Sequence, residues 1–184
     1  GDRTLRFYDT PGHAKHHFCV HDLRSNTIFT GDTYGIAYPS LTTPSGPLVF
    51  ATTTPVQFDS AALKSSIQRL DSIKPSACNL THFGRILPSP EISKQLHSSI
   101  DKYLEIVELY EDSGEQRCQL IDESIQKYLL GEYRRLEGEL CDEDVLKIIA
   151  MDSKLNAQGL GFWESKKNIY PLSFTSNHSI PSKI

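Results

Sequence analysis

Thr10-Pro11-Gly12-His13-Ala14-Lys15-His16-His17, followed closely by His21, gathers four histidines into nine residues. Just ahead of it Leu5 and Phe7 alternate with Arg6 and Tyr8, the period of a β-strand, and Pro11-Gly12 ends the run. A histidine on a tight turn at a strand end has its backbone held by the sheet while its ring projects beyond it. A metal ligand needs that placement, and His13 is the first candidate.

Working outward, Phe18 to Leu23 and Thr27 to Thr30 read as a hairpin around Arg24-Ser25-Asn26. The second run ends in Gly31-Asp32, a carboxylate at a strand terminus beside a glycine that permits close backbone approach. His21 and Asp22 fall at the hairpin end, where solvation is expected. Tyr34 to Gln57 carries Pro39, Pro44, Gly46, Pro47 and Pro55 around the apolar Leu48-Val49-Phe50-Ala51 and reads as a long loop of functional length, expected to wall a substrate pocket. Tyr34 and Tyr38 could donate to a developing oxyanion; the plainer reading is a packed ring with its polar tip outward. Asp59 is an N-cap for a helix through Ile73, with Leu63, Ile67 and Leu70 on one face and Pro75 as the stop. Ala77 to Leu80 is a short buried strand, and its end gives Thr81-His82-Phe83-Gly84.

Three potential donors thus stand at three strand ends, the edge of an α/β sheet where ligands collect. Taken singly, a histidine is more often a surface or core residue and an aspartate after glycine a turn residue. Together, His13, Asp32 and His82 form a borderline-to-hard donor set suited to Zn, Fe or Mn rather than Cu(I), and an aspartate can bridge two ions.

Beyond Gly84 the chain turns helical. Ser89-Pro90 is an N-cap and N1 pair, and Ile92, Leu96, Ile100, Tyr103, Leu104, Val107 and Tyr110 recur at helical spacing. A second helix is expected from Glu115 to Leu130, with Cys118, Ile121, Ile125, Tyr128 and Leu129 inside and Gly131 ending it. A third starts at Asp142. The expected organisation is residues 1–88 as the α/β part, 89–152 as a helical extension and 153–184 as a tail without clear period.

At 184 residues and 38% hydrophobic content the chain can bury one core. No apolar run approaches the roughly 20 residues of a membrane span, and Gly1-Asp2-Arg3-Thr4 does not open like a signal peptide. Cys19, Cys78, Cys118 and Cys141 are too scattered for a disulfide framework and read as buried thiols of a reducing, cytoplasmic setting. The net charge of -4 comes from the second half, where 17 acidic residues face 11 basic ones. A surface for a phosphate backbone needs clustered positive charge, so neither nucleic acid nor membrane is an expected partner; a small-molecule substrate is.

Thr10-Pro11-Gly12-His13, Phe29-Thr30-Gly31-Asp32-Thr33 and Thr81-His82-Phe83-Gly84, in this order, resemble the second half of a metallo-β-lactamase-fold hydrolase, the superfamily that includes glyoxalase II. Gly35-Ile36-Ala37-Tyr38-Pro39, Thr52-Thr53-Thr54-Pro55-Val56-Gln57-Phe58 and Asn156-Ala157-Gln158-Gly159-Leu160-Gly161 resemble a bacterial-type subgroup of it. The resemblance implies the C-terminal half of an αββα sandwich followed by a helical extension. It also implies two divalent metals, zinc first and iron or manganese as alternatives, with His13 on the first metal, Asp32 bridging both and serving catalysis, and His82 on the second. His17 then packs behind the ligands, and His16 is mainly a surface residue. The implied activity is hydrolysis of an ester, thioester or lactam carbonyl by metal-activated water. An iron-containing redox or oxygen-binding protein of the same fold, or an inactive interaction fragment, is the alternative. The family's His-x-His-x-Asp-His motif is missing. The chain is therefore expected to be a fragment, to hold metal weakly, and either to self-associate or to join a separate N-terminal half.

Overall fold

Pleated segments whose polar and apolar residues alternate need partners for both edges, and the N-terminal ones find them in each other. In the computed structural model, which describes residues 2–53, 57–111 and 113–169, with the last seven as backbone only, β1 (Leu5–Asp9) pairs antiparallel with β2 (Phe18–Asp22). β2 in turn pairs with β3 (Thr27–Gly31) across the expected turn, where Asn26 takes the left-handed conformation at φ 50°. After a two-residue hairpin of β4 (Thr42–Thr43) and β5 (Gly46–Pro47), helix α1 (Ser60–Ile73) crosses over and β6 (Ala77–Leu80) returns parallel to β3. β7 (Gly84–Ile86) closes the five-stranded sheet, ordered β1-β2-β3-β6-β7. Asp59 caps α1 by accepting from the Ala62 N–H at 2.9 Å, and Lys74, left-handed at φ 53°, ends it one residue before Pro75.

The sheet is covered on one face. Ile28 and Cys78 point into a core with Leu63, Ile67 and Leu70 of α1. By register Phe7, Val20 and Phe29 stand side by side on the opposite face. There Phe7 is 63% and Phe29 52% exposed, with Leu5 and Phe18 beside them. The usual rule that large apolar side chains turn inward fails here, with a local consequence: the inward positions of β2 go to Cys19 and His21. His21, expected to be solvated, is therefore buried, and so is Asp22, which falls on the other face by alternation and is enclosed at the strand end. Asp22 is paired with Arg3 and accepts from the Arg24 N–H, while His21 bonds Asn26 at 2.9 Å and stacks on Tyr8.

The segment after Asp32 is more deeply built in than a loop. Ile36 and Phe50 exchange backbone hydrogen bonds at 3.0 and 3.2 Å, and Leu48, Val49, Phe50 and Ala51 are buried. Buried amides need partners, and α2 (Pro90–Leu109) supplies them: Gln95 Oε1 accepts from the Val49 N–H and Ser99 Oγ from the Ala51 N–H, both at 2.9 Å. Thr54 to Val56 lie outside the described residues.

Two helix boundaries differ from expectation. α3 (Arg117–Arg135) runs through Gly131, because Tyr133 and Leu136 continue the buried stripe of Ile121, Ile125 and Leu129 beyond it. α4 (Asp142–Ile169) continues into the stretch read as a tail. Its inward face there is Ser153, Asn156, Ala157 and Leu160, a helical spacing made largely of polar and small residues that a hydrophobic period misses. Cys19 and Cys78 are buried, but Cys118 and Cys141 are exposed, near the N-terminal ends of their helices. The fold class is mixed α/β with a helical extension, as expected. No helix among the described residues is long and apolar enough to cross a membrane.

Candidate metal centre

The turn that carries His13 is pressed onto the first turn of α1. Gly12 sits at φ 135°, its carbonyl accepts from the Asp59 N–H at 2.8 Å, and Ser66 Oγ donates to the Pro11 carbonyl at 2.7 Å. The His13 ring is thereby aimed along the strand ends. Its Nδ1 lies 3.2 Å from the Thr52 carbonyl, which can only accept, so the ring proton belongs on Nδ1 and Nε2 presents a lone pair. His13 Nε2 is 3.8 Å from Asp32 Oδ2, while His82 Nε2, from the end of β6, is 3.5 Å from Asp32 Oδ1. Each oxygen of one carboxylate thus faces a different imidazole.

His17 serves that carboxylate from behind. The Asp32 N–H donates to His17 Nε2 at 3.0 Å, so the His17 proton sits on Nδ1 and goes to Thr33 Oγ1, also at 3.0 Å. Thr33 then donates to Thr10, and Thr10 contacts the buried Cys19 thiol at 3.1 Å. Burial, and next the charge of His13, hold the His17 pKa below the ordinary histidine value, in keeping with a neutral ring bonded on both nitrogens. Gly31 makes room for it: a Cβ there would lie 2.3 Å from His17 Cε1. Replacing His17 by Phe would leave the Asp32 N–H without its acceptor, at about 1–3 kcal/mol, and would take one bond of about 0.5–1.5 kcal/mol from the Thr33 hydroxyl, which keeps its bond to Thr10. A loss of about 2–4 kcal/mol is expected in urea unfolding; an unchanged midpoint would mean that the ring does not make these bonds in solution.

Tyr34 and Tyr38 stand elsewhere than a substrate wall requires. Tyr34 is 1% exposed and donates to Asp71 on α1, on the core side of the sheet; burial and that carboxylate push its pKa far up. It is out of reach of a substrate carbonyl. Tyr38 spends its hydroxyl on Asp152 of α4 and sets its ring 4.4 Å from that of Phe83. His16 is exposed. The partners that orient the donors, Thr10, Thr33, Thr52 and Asn156, all fall in stretches on which the resemblance rests, but by residue type alone threonine and asparagine announce no such role.

The donor set suits a divalent metal. Two donors at about 2.0–2.2 Å from one tetrahedral ion stand about 3.3–3.6 Å apart, and the two histidine–carboxylate separations fall at or slightly above this. His13 has its other nitrogen fixed by a carbonyl, as metal-binding histidines commonly do. The set is nevertheless short: Asp32 Oδ1 has His82 beside it, and of the two imidazoles near Oδ2, His13 at 3.8 Å and His17 at 3.9 Å, His17 already spends that Nε2 on the Asp32 N–H; among the described residues no three His, Cys, Asp or Glu side chains enclose a common position.

No protein-family model matches the chain. Over 132 residues, 71% of its length, the chain is 30% identical to a metallo-β-lactamase-fold-containing protein of Sulfurisphaera tokodaii, of which the match takes in 45%. The chain thus spans about half the length of this curated relative. Among solved structures it is similar to an archaeal metallo-β-lactamase superfamily protein of Sulfolobus tokodaii, at 22% identity and a TM-score of 0.48, over 87% of this chain and 46% of that one. It is also similar to a metallo-β-lactamase family protein of Thermus thermophilus, at 12% identity and a TM-score of 0.43, over 90% of this chain and 45% of that one.

Proposed function

We propose, from the premise that the chain is a relative of metallo-β-lactamase-fold proteins and carries part of their fold, that it supplies one side of a metal-dependent hydrolase site acting on an ester, thioester or similar carbonyl of a small molecule. The observation that carries this reading is the single carboxylate of Asp32 shared between His13 and His82. His13 with Asp32 Oδ2 would hold one ion, and His82 with Asp32 Oδ1 a second, zinc first and iron or manganese as alternatives. Divalent ions bound there lower the pKa of water and polarise a carbonyl. The chain's own residues preorganise the donors: His17 pins the Asp32 backbone, so the carboxylate turns only about its side-chain torsions, and the Thr52 carbonyl keeps the His13 lone pair on Nε2. A catalytic zinc keeps about three protein ligands, so donors beyond the described residues would have to complete each ion's set.

Metal titration of the histidine-15N-labelled chain tests the reading. Zn2+ is expected to shift Nε2 of His13 and His82, weakly and only toward millimolar metal, and to leave His17 in place. Shifts confined to His16, His21 or His97, or none at all, would refute it.

The uncovered sheet face belongs to the same proposal. Leu5, Phe7, Phe18 and Phe29 form a contiguous apolar surface of the kind that recruits other polypeptide, here a separate N-terminal half or another copy of the chain. Light scattering on the chain alone is expected to give a mass above the monomer, and Phe7→Glu with Phe29→Glu to return it to the monomer. A monomeric wild-type chain would remove this part.

A further inference from the structure

Helix α4 reaches the candidate centre at two points one turn apart. Asn156 is 1% exposed; its Oδ1 accepts from the Thr53 N–H at 2.8 Å and from the Thr53 hydroxyl at 3.1 Å, and its Nδ2 donates to the Ala51 carbonyl at 3.4 Å. The asparagine therefore grips the backbone on both sides of Thr52, whose carbonyl is the partner of His13 Nδ1. No strand runs through 51–53, and the buried Thr53 N–H has its hydrogen bond from this side chain. Four residues earlier on the same helix, Asp152 Oδ2 accepts from the Tyr38 hydroxyl at 2.5 Å. The Tyr38 ring lies on Phe83, and the preceding residue of the same segment, Ala37, donates its N–H to the His82 carbonyl at 3.2 Å.

Residues at i and i+4 share one helix face. One rigid face thus leads by two separate routes to two different histidines, with Asp32 between them. The orientation of a donor histidine is set by what its other nitrogen and its backbone are tied to. We infer that α4 acts as a strut for the centre, with Asn156 and Asp152 as positioning residues that fix the His13 and His82 rings relative to Asp32.

The metal consequence rests on the function proposed above; the ring orientation does not, so the two can be separated. In the metal-free chain at fixed pH, long-range 1H–15N spectra of the histidine rings are expected to show His13 in the Nδ1–H form. Asn156→Ala is expected to move its two nitrogens toward the averaged shifts of a free imidazole while His17 keeps its own pattern. Tyr38→Phe is expected to do the reverse, displacing the Phe83 and His82 ring signals and leaving His13 alone. Co2+ affinity should then fall about 10–100-fold in either variant. An unchanged His13 pattern in Asn156→Ala, or an unchanged His82 in Tyr38→Phe, overturns the strut whether or not metal binds. Ring effects as expected in a wild-type chain that takes up no Co2+ would support the strut and sink the metal reading. Should Asn156→Ala not fold, Tyr38→Phe, which removes one hydroxyl from a partly exposed side chain, decides the question on the His82 branch.

Discussion

With Asp32→Ala, metal that shifts the ring nitrogens of His13 and His82 in the unaltered chain is expected to leave both undisturbed, an affinity loss of about 100-fold or more, beyond what outlying hydrogen-bond partners cost. Both histidines lose together because one carboxylate serves both, through different oxygens. Two independent sites would behave otherwise, with at least one histidine still responding. The fold should hardly notice: the Asp32 side chain is 24% exposed, and its backbone N–H, which survives the substitution, remains on His17. Asp32→Asn keeps the shape while removing the charge, and the same loss is expected from it. Retained metal response of both histidines in either variant, with the melting temperature unchanged, would remove Asp32 from the centre.

Gly12→Ala is expected to have the opposite profile, a loss of fold before any question of chemistry. A Cβ at this position would sit 2.2 Å from the Leu63 backbone nitrogen and 2.3 Å from its Cα. These are atoms of α1 itself, which cannot rotate aside as a side-chain tip could. The backbone at φ 135° is a further strain for any residue with a Cβ. The helix must part from the turn or the turn must rebuild, and losses from clashes of this kind exceed about 4 kcal/mol. Since a domain holds only about 5–15 kcal/mol, a large unfolded fraction at room temperature is expected by circular dichroism. A cooperative melt like that of the unaltered chain would show that α1 does not pack on this turn.

The parts of this molecule that could be read from sequence are those decided locally. β1, the β2–β3 hairpin, α1 with its Asp59 cap, and β6 follow from period and punctuation within each short stretch itself. The donors at their ends follow with them, because a histidine next to Pro-Gly or a carboxylate next to glycine is visible without knowing what lies across the sheet. What escaped reading was decided at long range. The buried run 48–51 depends on Gln95 and Ser99 of α2 to satisfy its amides, and nothing near Val49 announces them. Tyr34 looked available because a tyrosine after Asp32 is close in sequence to the site; its chain direction carries it to Asp71 instead. The outward aromatics of β1 to β3 were legible as apolar positions, but which face of the sheet they share is set by strand pairing and not by residue type.

The link between Thr53 and Asn156 spans 103 residues, and it imposes an order in time. At synthesis rates of about 5–20 residues per second, Thr53 emerges about 5–20 s before the side chain that holds it, far longer than a hairpin needs to close. β1, β2 and β3 therefore have time to pair while the carbonyl meant for His13 still belongs to an unanchored segment. The Thr52 carbonyl that orients His13 is thus held only once α4 has been made, and a ribosome stalled ahead of residue 152 would hold a formed sheet with that histidine's partner still loose.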